Sequence, residues 1–359
     1  MKKIKFLATL FFIFLLTSCN KEKKRSFTFF DSFDTEISII MYTKTNDEFE
    51  KYVKIFKDEF TNYGKLYDIY KDYEGVTNLK TINEKAYKEP LEVDEKILDM
   101  LSESIELSYK YGKKVNIAVG SLTNVWHNYR EEGLKSKSDA KLPPMEELTE
   151  AKKHINLEDI IIDKTKKTIF IKDPELKIDV GAFAKGYATD KVAEKLKGEG
   201  LNSFIISAGG NIKAVGKPLD ERKFYSIGIQ NPFLENEEKV KDIIYKNDVS
   251  VVTSGDYQRF YSVNGKNYHH IIDIDTLMPE GKFKSVTVVT DTGFIGDYLS
   301  TLFFLSSKEE AEKIADKIGN VGIIWIDFNG EMTFTENIKG ILKSQSAKES
   351  RKLNEKLQI

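Results

Sequence analysis

The Asn-Gly pair at Asn264-Gly265 constrains the fold most, because it stands between two aromatic runs, Arg259 to Val263 and Asn267 to Ile272. Both turn positions tolerate positive φ, so the pair predicts a two-residue hairpin of the type I′ class and hence antiparallel pairing. Asn329-Gly330 repeats the signal near the carboxyl end. Around these turns strand and helix patterns intermix. Alternation predicts a strand over Thr35 to Met41, and helical patterns cover Asn46 to Tyr63 and Asp94 to Tyr111, the second stopped by Gly112. Arg130 to Lys141 is polar and reads as an exposed loop, after which Leu142-Pro143-Pro144 opens a short helix. Ile160 to Asp163 and Thr168 to Lys172 look like strands. The block Lys177 to Val180 leads into a helix from about Ala182 to Gly198, and a strand follows at Phe204 to Ser207. There is no internal repeat and no regular βαβ rhythm, so the class is α+β, with mixed sheets and flanking helices.

Composition narrows the function. With 359 residues, of which 40% are hydrophobic and 31% charged, the chain can bury a sizeable core and could hold two lobes. Its formal net charge of -2 leaves no general cation excess to displace counterions from nucleic acid, so no nucleic-acid partner is expected. One cysteine, Cys19, rules out an intramolecular disulfide framework and a multi-cysteine zinc site.

The position of that cysteine is informative. Lys2, Lys3 and Lys5 precede an apolar stretch from Phe6 to Leu16, too short to span a bilayer but suited to a signal peptide. Leu16-Thr17-Ser18-Cys19 resembles the lipobox of bacterial lipoproteins, in which the cysteine is acylated and becomes the first residue of the mature protein. Each buried lipid CH₂ contributes about 0.8 kcal/mol, so two or three chains would anchor the protein at the membrane on its extracytoplasmic face. Lys21, Lys23, Lys24 and Arg25 would follow as a solvated tether.

Four places could carry chemistry. In IDVGAFAKGYATD, Ile178 to Asp190, a strand passes through Gly181 into a helix, and the free amides of such a turn suit an anion. The same residues also fit a plain account, with Gly181 and Gly186 packing closely, Asp179 capping the helix and Lys185 solvated. Ser207-Ala208-Gly209-Gly210-Asn211 reads as a tight bend or a close approach to a ligand. In GDYLSTLFFL, Asp297 and Thr301 lie four apart, so on a helix both oxygens leave one face and could hold Mg²⁺ if other oxygens complete an octahedron. His269 and His270 would face opposite sides of a strand, so one could act as a base in a pocket, while His127 and His154 have no comparable setting. There is no GxSxG elbow, P-loop or dinucleotide-binding glycine fingerprint.

The order of these blocks resembles the ApbE family, the FAD:protein FMN transferases. The resemblance runs from about Phe33 to Phe334 and rests on IDVGAFAKGYATDKVAEKL, SAGGNIKAVG, TSGDYQRFY, YHHIID and GDYLSTLFFL, with VNIAVGSLTNVW as a sixth block. It implies a two-lobed catalytic unit of the T-fold-related kind and Mg²⁺ held by Asp297, Thr301 and the backbone carbonyl of Ala182. It further implies FAD contacts at Phe33, Tyr70, Lys114, Val115, Asn116, Asp179, Lys185 and Ile272, with His270 as general base. The implied reaction moves FMN from FAD to a Thr or Ser hydroxyl of an acceptor flavoprotein, whose motif is close to Asp-x-x-Ser/Thr-Gly-Ala-Ser/Thr, and releases AMP. Water in place of the hydroxyl would make the protein an FAD pyrophosphatase, and a protein without turnover would be a flavin-binding lipoprotein.

Two departures stand out. Phe33-Asp34-Thr35 replaces the usual Met-Gly-Thr, and Asp273-Ile274-Asp275-Thr276-Leu277 replaces Asp-Pro-x-Thr-Gly, so the backbone at both places is expected to change. The expected organisation is a signal peptide at 1–18, a tether at 19–26, a catalytic domain at 27–340 and a polar tail at 341–359.

Overall fold

The computed structural model of the chain describes residues 21–136, 138 and 140–345. The expected signal peptide, Cys19 and all of the expected tail beyond residue 345 lie outside the described residues.

An eight-stranded antiparallel sheet forms the centre. Its order is β1 (Lys23–Ser32), β2 (Thr35–Thr43), β6 (Phe204–Ala208), β7 (Asn211–Val215), β10 (Val249–Gly255), β15 (Ser285–Thr290), β16 (Gly322–Ile326) and β17 (Met332–Phe334). The remaining strands make small antiparallel sheets: β3 (Leu91–Glu92), β5 (Thr168–Ile171) and β4 (Ile160–Asp163); β8 (Tyr225–Gln230) with β9 (Val240–Lys246); β11 (Phe260–Val263) with β12 (Lys266–His269); and β13 (Ile272–Asp273) with β14 (Met278–Pro279). The helices are α1 (Asn46–Leu66), α2 (Leu79–Lys85), α3 (Glu95–Tyr111), α4 (Gly120–Lys135), α5 (Met145–Lys152), α6 (Ala184–Gly198), α7 (Gly293–Leu305) and α8 (Lys308–Ile318).

Period-two alternation lets the central strands serve both faces. Ile37, Ile39 and Met41 of β2, Val286 and Val288 of β15, and Ile323 and Trp325 of β16 join the main core with α1, α3, α6 and α7. Their neighbours Val289, Ile324 and Ile326 belong to a second core, with Tyr225, Ile227, Ile229 and Ile244 of β8 and β9. A third cluster around Leu122, Trp126, Leu148, Tyr261, Val263 and Leu277 builds a smaller lobe from α4, α5 and the short hairpins. The architecture is therefore α+β and two-lobed, as the sequence predicts.

The turns repay comparison. Asn264 and Gly265 have φ of 51° and 78°, and Val263 pairs with Lys266, the two-residue hairpin expected. At Asn329-Gly330 a hairpin also forms, but Ile326 pairs with Met332 and Gly330 alone in the loop is left-handed, at φ 81°. The Asp327 carboxylate accepts the amides of Asn329 at 2.9 Å and Glu331 at 2.7 Å and so stabilises a longer loop.

Four expectations are corrected. Arg130 to Lys135 is helical, because α4 continues there and buries Gly133 against Tyr261. Lys177 to Val180 joins no sheet: Ile178 exchanges hydrogen bonds with the Asn83 side chain, and the Asp179 amide donates to Ile117 O. Lys23 to Ser26, placed in the tether, are the first residues of β1 and pair with Thr43 to Ile40. The start of the expected tail belongs to the fold, since Leu342 is fully buried and Ser344 binds Asp242 through its amide and hydroxyl. Among the described residues no helix is long and apolar enough to cross a membrane.

Candidate active site

The two lobes border a cleft of about 330 Å³, and every residue singled out above within the described chain as a metal ligand, flavin contact or base lines it. Its floor is the crossing of α6 and α7. Gly186, in the first turn of α6, donates its amide to Asp297 Oδ2 at 2.9 Å, while Gly293 and Phe294, which open α7, donate theirs to the Asp190 carboxylate, both at 2.9 Å. Each helix thus supplies an aspartate to the amino terminus of the other, where free amides and the helix dipole favour negative charge. The crossing requires glycine, since a Cβ on Gly186 would stand 2.2 Å from Gly293 O.

Asp297 is nearly buried, at 4% exposure, yet it lines the cleft. Oδ1 accepts from Asn211 Nδ2 at 3.1 Å and lies 3.5 Å from the Lys185 ammonium, which also reaches Gly181 O at 3.3 Å. Thr301 donates its hydroxyl proton to Asp297 O at 3.2 Å, which leaves lone pairs on Oγ1, and Ser254 Oγ lies 3.3 Å away. Carboxylate, hydroxyl and the carbonyls of the Gly181-Ala182 turn are all hard oxygen donors, the chemistry of Mg²⁺ rather than of zinc or copper. Two observations fit a cation here: an ammonium already rests beside the carboxylate, and Asn211 Oδ1 is buried without a hydrogen-bond partner. Among the described residues no group of three or more His, Cys, Asp or Glu could hold a metal, so other oxygens, such as phosphates and water, would have to complete the shell.

Asp179 spans the entrance to α6. Its Oδ1 accepts the Gly181 amide at 2.8 Å and its Oδ2 accepts the Thr123 hydroxyl at 2.6 Å, tying this turn to α4. Lys114 is fixed by Asp273 at 3.0 Å and Asp275 at 3.2 Å; burial alone would lower its pKa, and these hydrogen bonds outweigh that and raise it. Val115, Asn116 and Ile272 continue the same wall.

The two departures from the family pattern both stand on left-handed backbone in this chain. Phe33 and Asp34 both have positive φ, at 56° and 47°, and the Arg259 guanidinium donates to their carbonyls at 3.2 and 3.0 Å. Leu277 is left-handed at φ 65°, and its carbonyl accepts from Trp126 Nε1 at 2.9 Å.

The histidines do not alternate as expected, because β12 ends at His269 and both rings line the cleft. His269 packs edge-on against Phe304. His270 lies 3.3 Å through Nδ1 from Arg259 O; a carbonyl can only accept, so Nδ1 carries the proton and Nε2 keeps a free lone pair. Enclosure by the cleft walls, followed by the charge of Arg259, pushes the His270 pKa down, although the ring remains open to solvent through the mouth.

Sequence reasoning gave no site role to Asn211, Ser254, Arg259 or His127. The first three lie inside motif blocks and could have been singled out there. His127 sits one residue past such a block, and its ring stacks on Tyr70 in the cleft, a contact that only the tertiary structure creates.

Fold and cleft together define a two-lobed α+β protein that pairs a helix amino terminus with an aromatic wall, a geometry suited to an anionic, ring-bearing ligand. The chain belongs to the ApbE family, whose model matches residues 33–325. It is 29% identical over 277 residues to an FAD:protein FMN transferase of Haemophilus influenzae, covering 76% of each chain. To that of Escherichia coli K12 it is 27% identical over 250 residues, covering 69% of each. The crystal structure of the ApbE protein from Thermotoga maritima has the same fold, with a TM-score of 0.77 at 24% identity over 89% of this chain and 99% of that one. The flavin transferase ApbE from Vibrio cholerae gives a TM-score of 0.73 at 23% identity, again covering 89% and 99%.

Proposed function

We propose that this protein transfers FMN from FAD to a Ser or Thr hydroxyl of an acceptor flavoprotein and releases AMP, in a Mg²⁺-dependent reaction. The observation that carries the reading is that Asp297, Thr301 and the Gly181-Ala182 turn line one cleft, with the Lys185 ammonium between Asp297 Oδ1 and Gly181 O at the start of α6. Asp297, Thr301 and the Ala182 carbonyl would hold Mg²⁺, which when bound neutralises the pyrophosphate and the charge developing on AMP.

The chain's own residues position the rest. Lys185 and the amides of the turn face the phosphates, and Tyr70, Val115 and Asn116 receive the flavin end. The acceptor hydroxyl oxygen forms a bond to the FMN-side phosphorus, the bridging P–O bond breaks with its electron pair leaving on AMP, and the hydroxyl proton passes to His270 Nε2. The lowered pKa keeps that nitrogen unprotonated at neutral pH, and a phosphate brought beside it would raise its basicity when substrate is present.

Location forms part of the same reading. A lipid on Cys19 would hold the protein at the membrane on the extracytoplasmic side, with residues 20–22 between the anchor and β1.

The test incubates the chain from Lys21 with FAD, Mg²⁺ and an acceptor domain bearing the family's motif, and follows the acceptor by mass spectrometry. An FMN adduct on its hydroxyl residue is expected. Release of FMN and AMP without an adduct would mean a pyrophosphatase, and unchanged bound FAD a carrier; either overturns the proposal. Asp297→Ala should abolish turnover, whereas His270→Ala should slow it by roughly 10²- to 10⁴-fold with FAD still bound.

A further inference from the structure

Tyr70 lies in the loop after α1 on the main lobe, and His127 projects from α4 on the smaller lobe. Their rings meet across the cleft wall with centroids 4.4 Å apart and planes inclined by 25°. Both ends of the stack are anchored. The Tyr70 amide donates to Asp68 Oδ1 at 2.7 Å. His127 Nδ1 lies 2.9 Å from Arg130 Nη2, and a guanidinium can only donate, so Nδ1 accepts and the ring is neutral with its proton on Nε2. Burial, then the Arg130 charge, lowers the His127 pKa in the same direction. Thr123, His127 and Arg130 share one face of α4, and Thr123 ties that face to Asp179.

A ring has two faces, and the imidazole takes one of those on Tyr70. A ligand ring inserted between the two would need roughly twice their present separation. Tyr70 nevertheless remains 47% exposed and lines the cleft, so its opposite face is the available one. We propose that His127 is a positioning residue for flavin binding: it backs Tyr70, holds the phenol ring along the cleft wall, and so presents the free face to the isoalloxazine of FAD. This inference rests on the flavin reading above.

The test titrates wild type, His127→Ala and His127→Phe with FAD, followed by flavin fluorescence quenching, and with ADP, which lacks the isoalloxazine, by calorimetry. His127→Ala should weaken FAD by about three- to tenfold, the worth of one aromatic pair, and leave ADP within about twofold, which also shows that the variant is folded. His127→Phe should restore FAD affinity and quenching, because it keeps a ring. The inference is overturned if His127→Ala binds FAD as tightly as wild type or tighter, if ADP weakens equally, or if His127→Phe behaves like His127→Ala. Wild type that fails to bind FAD would overturn the flavin reading itself, and this inference with it.

Discussion

Replacing Gly186 by alanine tests whether the crossing of α6 and α7 builds the site. The added methyl would lie 2.2 Å from Gly293 O and 2.8 Å from Asp297 Cβ, against an ordinary contact of about 3.4 Å. Relief requires α7 to retreat by about 1.2 Å, which takes the 2.9 Å bond from Gly186 N to Asp297 Oδ2 out to about 4 Å, beyond hydrogen bonding. Overpacking costs about 1–3 kcal/mol, and the lost bond to a buried carboxylate about 1.5–3 kcal/mol more. The better helix propensity of alanine offsets about 1 kcal/mol of this. A net loss of about 1.5–5 kcal/mol should appear in urea unfolding followed by tryptophan fluorescence. A displacement of about 1 Å at a reacting group costs around a hundredfold, so FAD turnover should fall by about that factor. If Gly186→Ala unfolds at the wild-type urea concentration and keeps wild-type turnover, the two helices do not fix Asp297 in the manner described.

At Leu277, glycine would relieve about 1–2 kcal/mol of left-handed strain but remove a side chain only 6% exposed, whose burial contributes about 1.5–3 kcal/mol, and add about 0.5–1 kcal/mol of chain entropy. Leu277→Gly should therefore lower the thermal midpoint, and a raised midpoint would show that the side chain does not support the smaller lobe. Stability should also depend on acid. Burial, then Lys284, pushes the His269 pKa down to about 4, so between the ordinary value of 6.5 and about 4 the unfolded chain binds a proton that the folded chain refuses. That contribution is intact above pH 6.5 and is lost as pH falls towards 4; His269→Phe should flatten the slope of midpoint against pH, and an unchanged slope refutes the assignment. Finally, Cys19→Ala should abolish incorporation of labelled palmitate and move the protein out of the membrane fraction, whereas retained label would remove the anchor from the proposal.

Local chemistry made much of the fold legible. The Asn264-Gly265 hairpin needs only two residues that accept positive φ, and α3 ends where Gly112 stops it. What failed depended on distant partners. Lys177 to Val180 has the composition of a strand, but partners far away in sequence take its backbone bonds: the Asn83 side chain those of Ile178, and Ile117 O the Asp179 amide. Arg130 to Lys135 looks like a loop because its polar residues hide the helical contact of Gly133 with Tyr261. Lys23 to Ser26 are too charged to read as strand, yet on the sheet edge their side chains can stay in water while the backbone pairs with β2. The site followed the same division: its motif residues converge on one cleft, while the His127 stack depends on how two lobes meet.

The floor of the cleft carries a sequence sign that becomes readable once the helices are seen to cross. Gly186-Tyr-Ala-Thr-Asp190 and Gly293-Phe-Ile-Gly-Asp297 share the pattern Gly-x-x-x-Asp, and each aspartate receives the amide of the other segment's glycine. The symmetry ends at the second oxygen. Asp190 Oδ2 accepts the Phe294 amide, and Lys213 lies 3.1 Å from its Oδ1, so this carboxylate is satisfied by structure alone. Asp297 Oδ1 meets only a neutral amide at 3.1 Å and an ammonium at the longer distance of 3.5 Å. A nearly buried carboxylate with a loosely held countercharge retains both the need and the room for a stronger cation. One aspartate of the pair thus secures the crossing, and the other, fixed by the same device, is the one the proposed reaction would use for its cation.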